Sequence, residues 1–153
     1  MKISAGILLF KRSEEHTFYF LVHPGGPFWK NKDSGAWSIP KGEAEEDESL
    51  LDRAKTEFLE ETGKVVNGNF IELMPITQKA GKKVFAWALE QDLETSGLTS
   101  NMITISWPPK SGKTIQIPEV DRWEWFSSEE AKQKINPAQA GFIVQLEKIL
   151  SFE

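Results

Sequence analysis

Two runs, Ala5-Gly6-Ile7-Leu8-Leu9-Phe10 and Val84-Phe85-Ala86-Trp87-Ala88-Leu89, contain no polar side chain at any position. A β-strand turns successive side chains to opposite faces, so a strand without polar residues has no face that can meet water. Runs of this kind are central strands covered by other elements on both sides. They restrict the chain to a layered fold. Thr17 to Val22, Ala36 to Ile39, Phe70 to Ile76, Met102 to Trp107 and Arg122 to Phe126 read as further strands, the last with Trp123 and Trp125 on one face.

The strongest helix runs from about Glu48 to Thr62, where Leu50, Leu51, Ala54 and Phe58 form a stripe and Gly63 supplies a left-handed stop. Its start has two readings: either Asp47 caps it, or Ser49 does with Asp52 three positions later. A closing helix follows Pro137, with Ala140, Ile143, Val144, Leu146, Ile149 and Leu150 as its core face, and a short helix occupies Ser128 to Lys134. Strands surrounded by a few helices, one of them in mid-chain, predict a single α/β domain over residues 1–153, an α/β/α sandwich around a mixed sheet. No repeat or linker divides the chain.

Composition narrows the chemistry. The chain has no cysteine and two histidines, His16 and His23. Disulfides, thiolate zinc sites and cysteine nucleophiles are therefore excluded, and no Ser-His-Asp arrangement can be defended. A metal would be held by oxygen from the 23 Asp and Glu residues, which suits hard cations. The net charge of −5 argues against nucleic-acid polymers and anionic membranes as partners, although a small anionic ligand fits if basic residues cluster locally. The run from Ala5 to Phe10 is too short to span a bilayer. The chain reads as a soluble, cytoplasmic protein, monomeric or homodimeric.

Glu57, Glu60 and Glu61 stand at i, i+3 and i+4 on the mid-chain helix and project toward one side. At about 100° per residue, Glu57 and Glu61 flank the direction of Leu50 and Ala54, at the edge of the core. Like charges there repel and are costly to desolvate. A divalent cation would reverse that balance; a solvated acidic helix end is the simpler alternative.

The spacing around them decides between the two. From Gly42 there are five residues to Glu48, seven more, and then Thr56-Glu57-Phe58-Leu59-Glu60-Glu61-Thr62-Gly63. This resembles the Nudix box of the Nudix hydrolases, G-x5-E-x7-R-E-U-x-E-E-x-G-U with U apolar, and Gly42, Glu48, Glu57, Phe58, Glu60, Glu61 and Gly63 match in register. Two positions depart from it. Thr56 stands where the family has arginine, and Lys64 stands at the last apolar position, ahead of Val65 and Val66. Arg53, four residues before Glu57, is a candidate stand-in for the missing arginine.

The resemblance implies a Nudix-like sandwich and the hydrolysis of a nucleoside diphosphate linked to another group, with Mg2+ or Mn2+ as cofactor. By position it implies that the Gly42 carbonyl, Glu57, Glu60 and Glu61 hold metal and that Glu57 or Glu61 orients water. In this family the general base can also come from a loop outside the box. Glu119, in Pro118-Glu119-Val120-Asp121, is the candidate here, or else part of an exposed turn.

Leu21 to Gly42, Gln78 to Leu89 and Pro118 to Phe126 also look like a bacterial Nudix group related to the diadenosine tetraphosphate hydrolases, in which lysines and aromatics hold polyphosphate and adenine. That makes Trp29, Lys41, Lys79 and Lys83 substrate-binding candidates. Lys79, Lys82 and Lys83 surround Gly81 in a predicted hairpin turn, while Phe28 and Trp29 tip a turn-rich loop and either stack on a base or cover the core. A diadenosine polyphosphate is the first expected substrate. A nucleoside triphosphate pyrophosphohydrolase and a weakly active Nudix-derived nucleotide-binding module are the alternatives. Gly112-Lys113-Thr114 is no phosphate-binding loop, because Trp107 occupies its first glycine position.

Overall fold

The computed structural model of the chain describes residues 2–152. Its strands are β1 (Ile3–Ser13), β2 (His16–Pro24), β3 (Lys41–Glu43), β4 (Ile71–Glu72), β5 (Ile76–Thr77), β6 (Lys83–Glu90), β7 (Met102–Ser106), β8 (Thr114–Pro118) and β9 (Val120–Ser127). Its helices are α1 (Leu50–Thr62), α2 (Ser128–Lys134) and α3 (Ala140–Leu150). The two apolar runs lie in β1 and β6, which pair in parallel at the centre of the sheet. The strand order is β4-β6-β1-β2-β9, with β3 antiparallel beside the start of β1 and β5 beside the start of β6.

Alternation along the strands then builds two cores. Ile7, Leu9, Phe20 and Val22 pack with Ala54 and Phe58 of α1. Leu8, Phe10, Tyr19 and Leu21 pack on the opposite face with Ala131, Phe142, Ile143 and Leu146 of α2 and α3. The result is the expected α/β/α sandwich. Burial of a side chain the size of Phe58 contributes about 1.5–3 kcal/mol.

Of the two starts for α1, Ser49 is the cap, its side chain accepting the Asp52 N–H at 3.3 Å. Pro137 opens a short 3-10 turn ahead of α3. Two strand expectations change. Ala36 to Ile39 makes only isolated bridges, because Ser38 pairs with Val22 while Trp37 pairs with Ile135 on another segment. Phe70 to Ile76 is split into β4 and β5: the Met74 N–H goes to the Gln145 side chain, and Pro75 has no N–H for the ladder. The hairpin β7–β8 forms its own two-stranded sheet.

Candidate active site

α1 delivers the acidic residues and is fixed at both ends. A helix leaves its last four carbonyls without partners. Here the Leu59 carbonyl accepts the Gly63 N–H, Glu60 that of Asn101, Glu61 the Trp123 indole N–H at 2.7 Å, and Thr62 the Thr99 N–H. No basic residue lies in the last turn to offset the helix dipole, so these four bonds hold the turn that carries Glu60 and Glu61. Gly63 has φ +80°, and a Cβ there would press on Thr99 Oγ1.

Asn101 links this helix end to Glu119. Its N–H bonds the Glu60 carbonyl, and its own carbonyl accepts the Glu119 N–H at 3.0 Å. On the other side the Glu119 carbonyl accepts the Gly25 N–H at 2.9 Å. Glu119, remote in sequence, is thereby drawn into the cluster: carboxylate oxygens of Glu57, Glu60 and Glu119 lie within 4.8 Å of one another. Nothing about Asn101 in the sequence announces this role.

Glu57 and Glu61 are only 7% and 4% exposed, whereas Glu60 faces solvent. Arg53 donates from Nη1 to Glu57 Oε2 and from Nε to Glu48 Oε1, both at 3.0 Å. Glu48 Oε1 also accepts the Glu45 N–H. Thr56 is exposed. With Glu57 Oε2 taken by Arg53, Oε1 faces Gly42 so closely that a Cβ at residue 42 would collide with that carboxylate. The missing apolar residue at Lys64 is replaced in the core by Val66.

Burial pushes the Glu57 carboxyl above its ordinary range, opposed by the Arg53 hydrogen bond and aided by the charges of Glu60 and Glu119. Glu61 is raised further, first by desolvation and then by Glu119 and Glu57, with Lys41 opposing. Its Oε2 is buried and has no hydrogen-bond partner among the described residues. An orphaned carboxylate oxygen on Glu61, under the charges of Glu119 and Glu57, fits a hard divalent cation.

A cavity of about 210 Å³ opens beside these acids, lined by Trp29, Lys41, Glu61, Gln78 and Glu119 among others. A second, of about 550 Å³, shares Lys41, Gln78 and Asn136 with it and adds Lys79 and Lys82. Burial pushes the Lys41 ammonium below its ordinary range, as does Lys82, while Glu61, Glu119 and Glu43 pull it back. Lys83 lines neither cavity; its ammonium sits 5.3 Å from the Phe85 ring centre. Trp29 packs edge-on against Phe28 at 5.0 Å, and Lys32 lies over the exposed Phe28 ring.

His23 is buried, with Nδ1 2.7 Å from Asp121 Oδ1 and Nε2 2.7 Å from the Lys32 carbonyl. Both ring nitrogens are engaged in tying the aromatic loop to the start of β9.

The layered sheet, the acid-bearing helix and the adjoining cavity define a Nudix-type fold, a class whose hydrolases generally use divalent metals. The NUDIX domain model matches residues 2–146, and the chain belongs to that family, as a Nudix pyrophosphohydrolase acting on nucleotide-linked anhydrides. An Ap4A hydrolase from C. elegans, solved as a binary complex, is similar at 15% identity and TM-score 0.66, with 100% of each chain covered. The NUDIX domain of Shewanella oneidensis NrtR, solved with ADP ribose, is similar at 17% identity and TM-score 0.63, covering 97% of this chain and 87% of that one. A MutT protein from Bacillus halodurans is similar at 17% identity and TM-score 0.59, covering 95% and 82%. No curated protein matches. Among the described residues no helix is long and apolar enough to cross a membrane.

Proposed function

We propose that the chain is a single-domain, Mg2+- or Mn2+-dependent enzyme of the cytoplasm that cuts a phosphoanhydride bond in a small nucleotide, with diadenosine polyphosphate as the first substrate. The observation that carries this reading is the buried, unpartnered Glu61 Oε2 beside Glu57, next to a solvent-accessible cavity. Glu57, Glu60, Glu61 and the Gly42 carbonyl are the proposed metal ligands, and the position of Glu119 within 4.8 Å of Glu57 and Glu60 suits either a further ligand or the base. A divalent cation supplies positive charge to the phosphate oxygens during such a reaction.

The protein's own groups divide the remaining work. Glu119 takes the proton of the attacking water as its oxygen bonds to phosphorus, and the P–O bond of the anhydride breaks toward the leaving phosphate. Lys41, at the junction of the two cavities, meets the charge that develops on that phosphate. Trp29 lines the smaller cavity and offers a ring face to a base. Lys79 contacts phosphate from the larger cavity, while Lys83 is left out of this set because its ammonium rests on Phe85.

The test is hydrolysis of diadenosine tetraphosphate, nucleoside triphosphates, ADP-ribose and nucleotide sugars with either metal, beside Glu60→Gln and Glu61→Gln. Cleavage of one class, lost in both variants, is the expected result, and the products identify the bond. Two nucleotides indicate a dinucleotide hydrolase, whereas monophosphate with pyrophosphate indicates a triphosphate pyrophosphohydrolase. Binding without turnover across the panel would replace the hydrolase reading with a nucleotide-binding module.

A further inference from the structure

His23 is fully enclosed, and the groups that meet its two ring nitrogens are both hydrogen-bond acceptors. The Lys32 carbonyl, 2.7 Å from Nε2, has no proton to give, so Nε2 must supply one. Nδ1 then faces Asp121 Oδ1 at 2.7 Å. A bare Nδ1 would set its lone pair against a carboxylate oxygen in a buried place, where an unmade hydrogen bond is costly. A second proton is needed there, and of the two groups the imidazole is by nature the more basic. The other charges nearby are paired among themselves. Arg122 Nε lies 3.8 Å from the same Asp121 oxygen, and its guanidinium covers the Trp37 ring, which meets His23 edge-on at 5.2 Å. The Trp37 indole N–H goes to Asp33, which is paired with Lys134 of α2, while the Lys32 ammonium is turned onto Phe28.

We propose that His23 is a positioning residue for the aromatic loop: as an imidazolium donating from both ring nitrogens it fixes Trp29 at the cavity, and loss of one proton releases it. The consequence for nucleotide rests on the hydrolase reading above; the protonation of the ring does not. A chain of bonds transmits the hold, from His23 Nε2 to the Lys32 carbonyl, from the Lys32 N–H to the Trp29 carbonyl at 2.9 Å, and from the Trp29 N–H to the Gly26 carbonyl at 3.2 Å. The Trp29 side chain lines the smaller cavity. A neutral ring has one N–H for two acceptors. The charged acceptor makes the stronger bond, so the proton stays between Nδ1 and Asp121, and the Nε2 lone pair is left against the Lys32 carbonyl. That carbonyl must then move, and Trp29 moves with its turn. Glu119 is held separately, through Asn101 and Gly25. Nucleotide affinity therefore falls with the proton while the carboxylates stay in place, an effect on KM rather than kcat.

The test is a pH titration of the wild-type protein from about pH 5 to about pH 10, followed by NMR of the 15N-labelled imidazole nitrogens and of 5-fluorotryptophan. His16, the other histidine, is exposed, and His16→Asn removes its signals. Trp29→Phe assigns one 19F signal among the six tryptophans. Asp121→Asn is the informative variant. Its amide can donate to Nδ1, so a neutral ring with its single proton on Nε2 keeps the bond to Lys32.

In the wild type, both His23 nitrogens are expected to be protonated at the acid end, and the Trp29 signal to change in step with the loss of one proton. In Asp121→Asn the Trp29 signal should stay fixed across the range. With nucleotide substrate, the KM of the wild type relative to that of Asp121→Asn should rise at least about tenfold over the interval in which the proton is lost, with the kcat ratio level. A ring with one proton throughout, a ring that keeps both to the end of the range, or a proton lost without response at Trp29 overturns the proposal. If the wild type hydrolyses nothing, the hydrolase reading fails by itself. The 15N and 19F titrations still decide the role of His23, since a coupled change supports the staple and an uncoupled one removes it.

Discussion

The acidic and cationic rims of the site are built on different principles. The acids stand on a helix whose last carbonyls are all engaged, with Arg53 bracing Glu57 from behind and Gly42 pressed against its carboxylate. The lysines stand on a turn: Lys79 is exposed and Lys82 has only a distant carboxylate partner. Carboxylates held within 4.8 Å of each other repel, and only a rigid backbone keeps them there. The lysines also repel, Lys82 pushing the Lys41 ammonium down, but Lys79 stands in water on an exposed turn and can be carried by it.

Gly42→Ala strikes the rigid rim directly and carries the largest expected effect. The added methyl must displace the Glu57 carboxylate or move β3. A loss of about 1–3 kcal/mol in stability is expected from overpacking, together with a fall of about a hundredfold in turnover from misplacing the group. Urea unfolding and steady-state kinetics check both. Near-normal values would mean the acidic rim tolerates displacement as the lysine turn does, and the contrast would dissolve.

Arg53→Ala is the next step down. It leaves Glu57 buried without its partner, for an expected cost of about 1–2 kcal/mol, and it frees the carboxylate to rotate. Turnover and Mn2+ affinity should each fall about tenfold, the size of one lost charge-assisted hydrogen bond of about 1.4 kcal/mol. Adding Thr56→Arg to that variant supplies a guanidinium from the family's usual position and should recover much of the loss. Unchanged Mn2+ affinity in Arg53→Ala would show that Arg53 braces nothing.

The same contrast explains what could be read from the sequence. β1, β6 and α1 announce themselves because period and burial coincide along each element, and the box spacing placed Glu57, Glu60 and Glu61 on one side of a helix. The buried edge position predicted for Glu57 and Glu61 follows from helix geometry alone, and the structure has it. What escaped was set by tertiary partners. β3 is three residues long and exists because β1 pairs with it through Ser4 to Gly6. β8 carries Ile115 and Ile117 opposite Ile105 and Ile103 and gave too short an alternation to recognise. Asn101, which joins α1 to Glu119, acts through its backbone, and no side-chain pattern reports that. Lys82 and Lys83 are adjacent, and strand alternation sends one toward the cavity and the other onto Phe85.

The smallest predicted effect concerns how the acidic rim responds to pH. Desolvation, with the charges of Glu119 and Glu57, raises the folded-state pKa of Glu61 well above the ordinary 4.5, and Glu57 is raised as well. A raised carboxyl keeps its proton in the folded protein after the unfolded chain has lost it, so the unfolded state binds fewer protons in that window. Metal-free protein should therefore lose stability as pH rises from 4.5 through the folded pKa of Glu61, and level off above it. The slope contributed by one such group is at most about 1.4 kcal/mol per pH unit. Mg2+ favours the ionised carboxylates and should flatten the slope, and Glu61→Gln should remove most of it without metal. Urea midpoints from about pH 4 to 8, with EDTA and with Mg2+, measure this. Stability that rises with pH in EDTA would mean that the carboxylates of α1 are paired rather than merely held, and would move the acidic rim into the same category as the lysine turn.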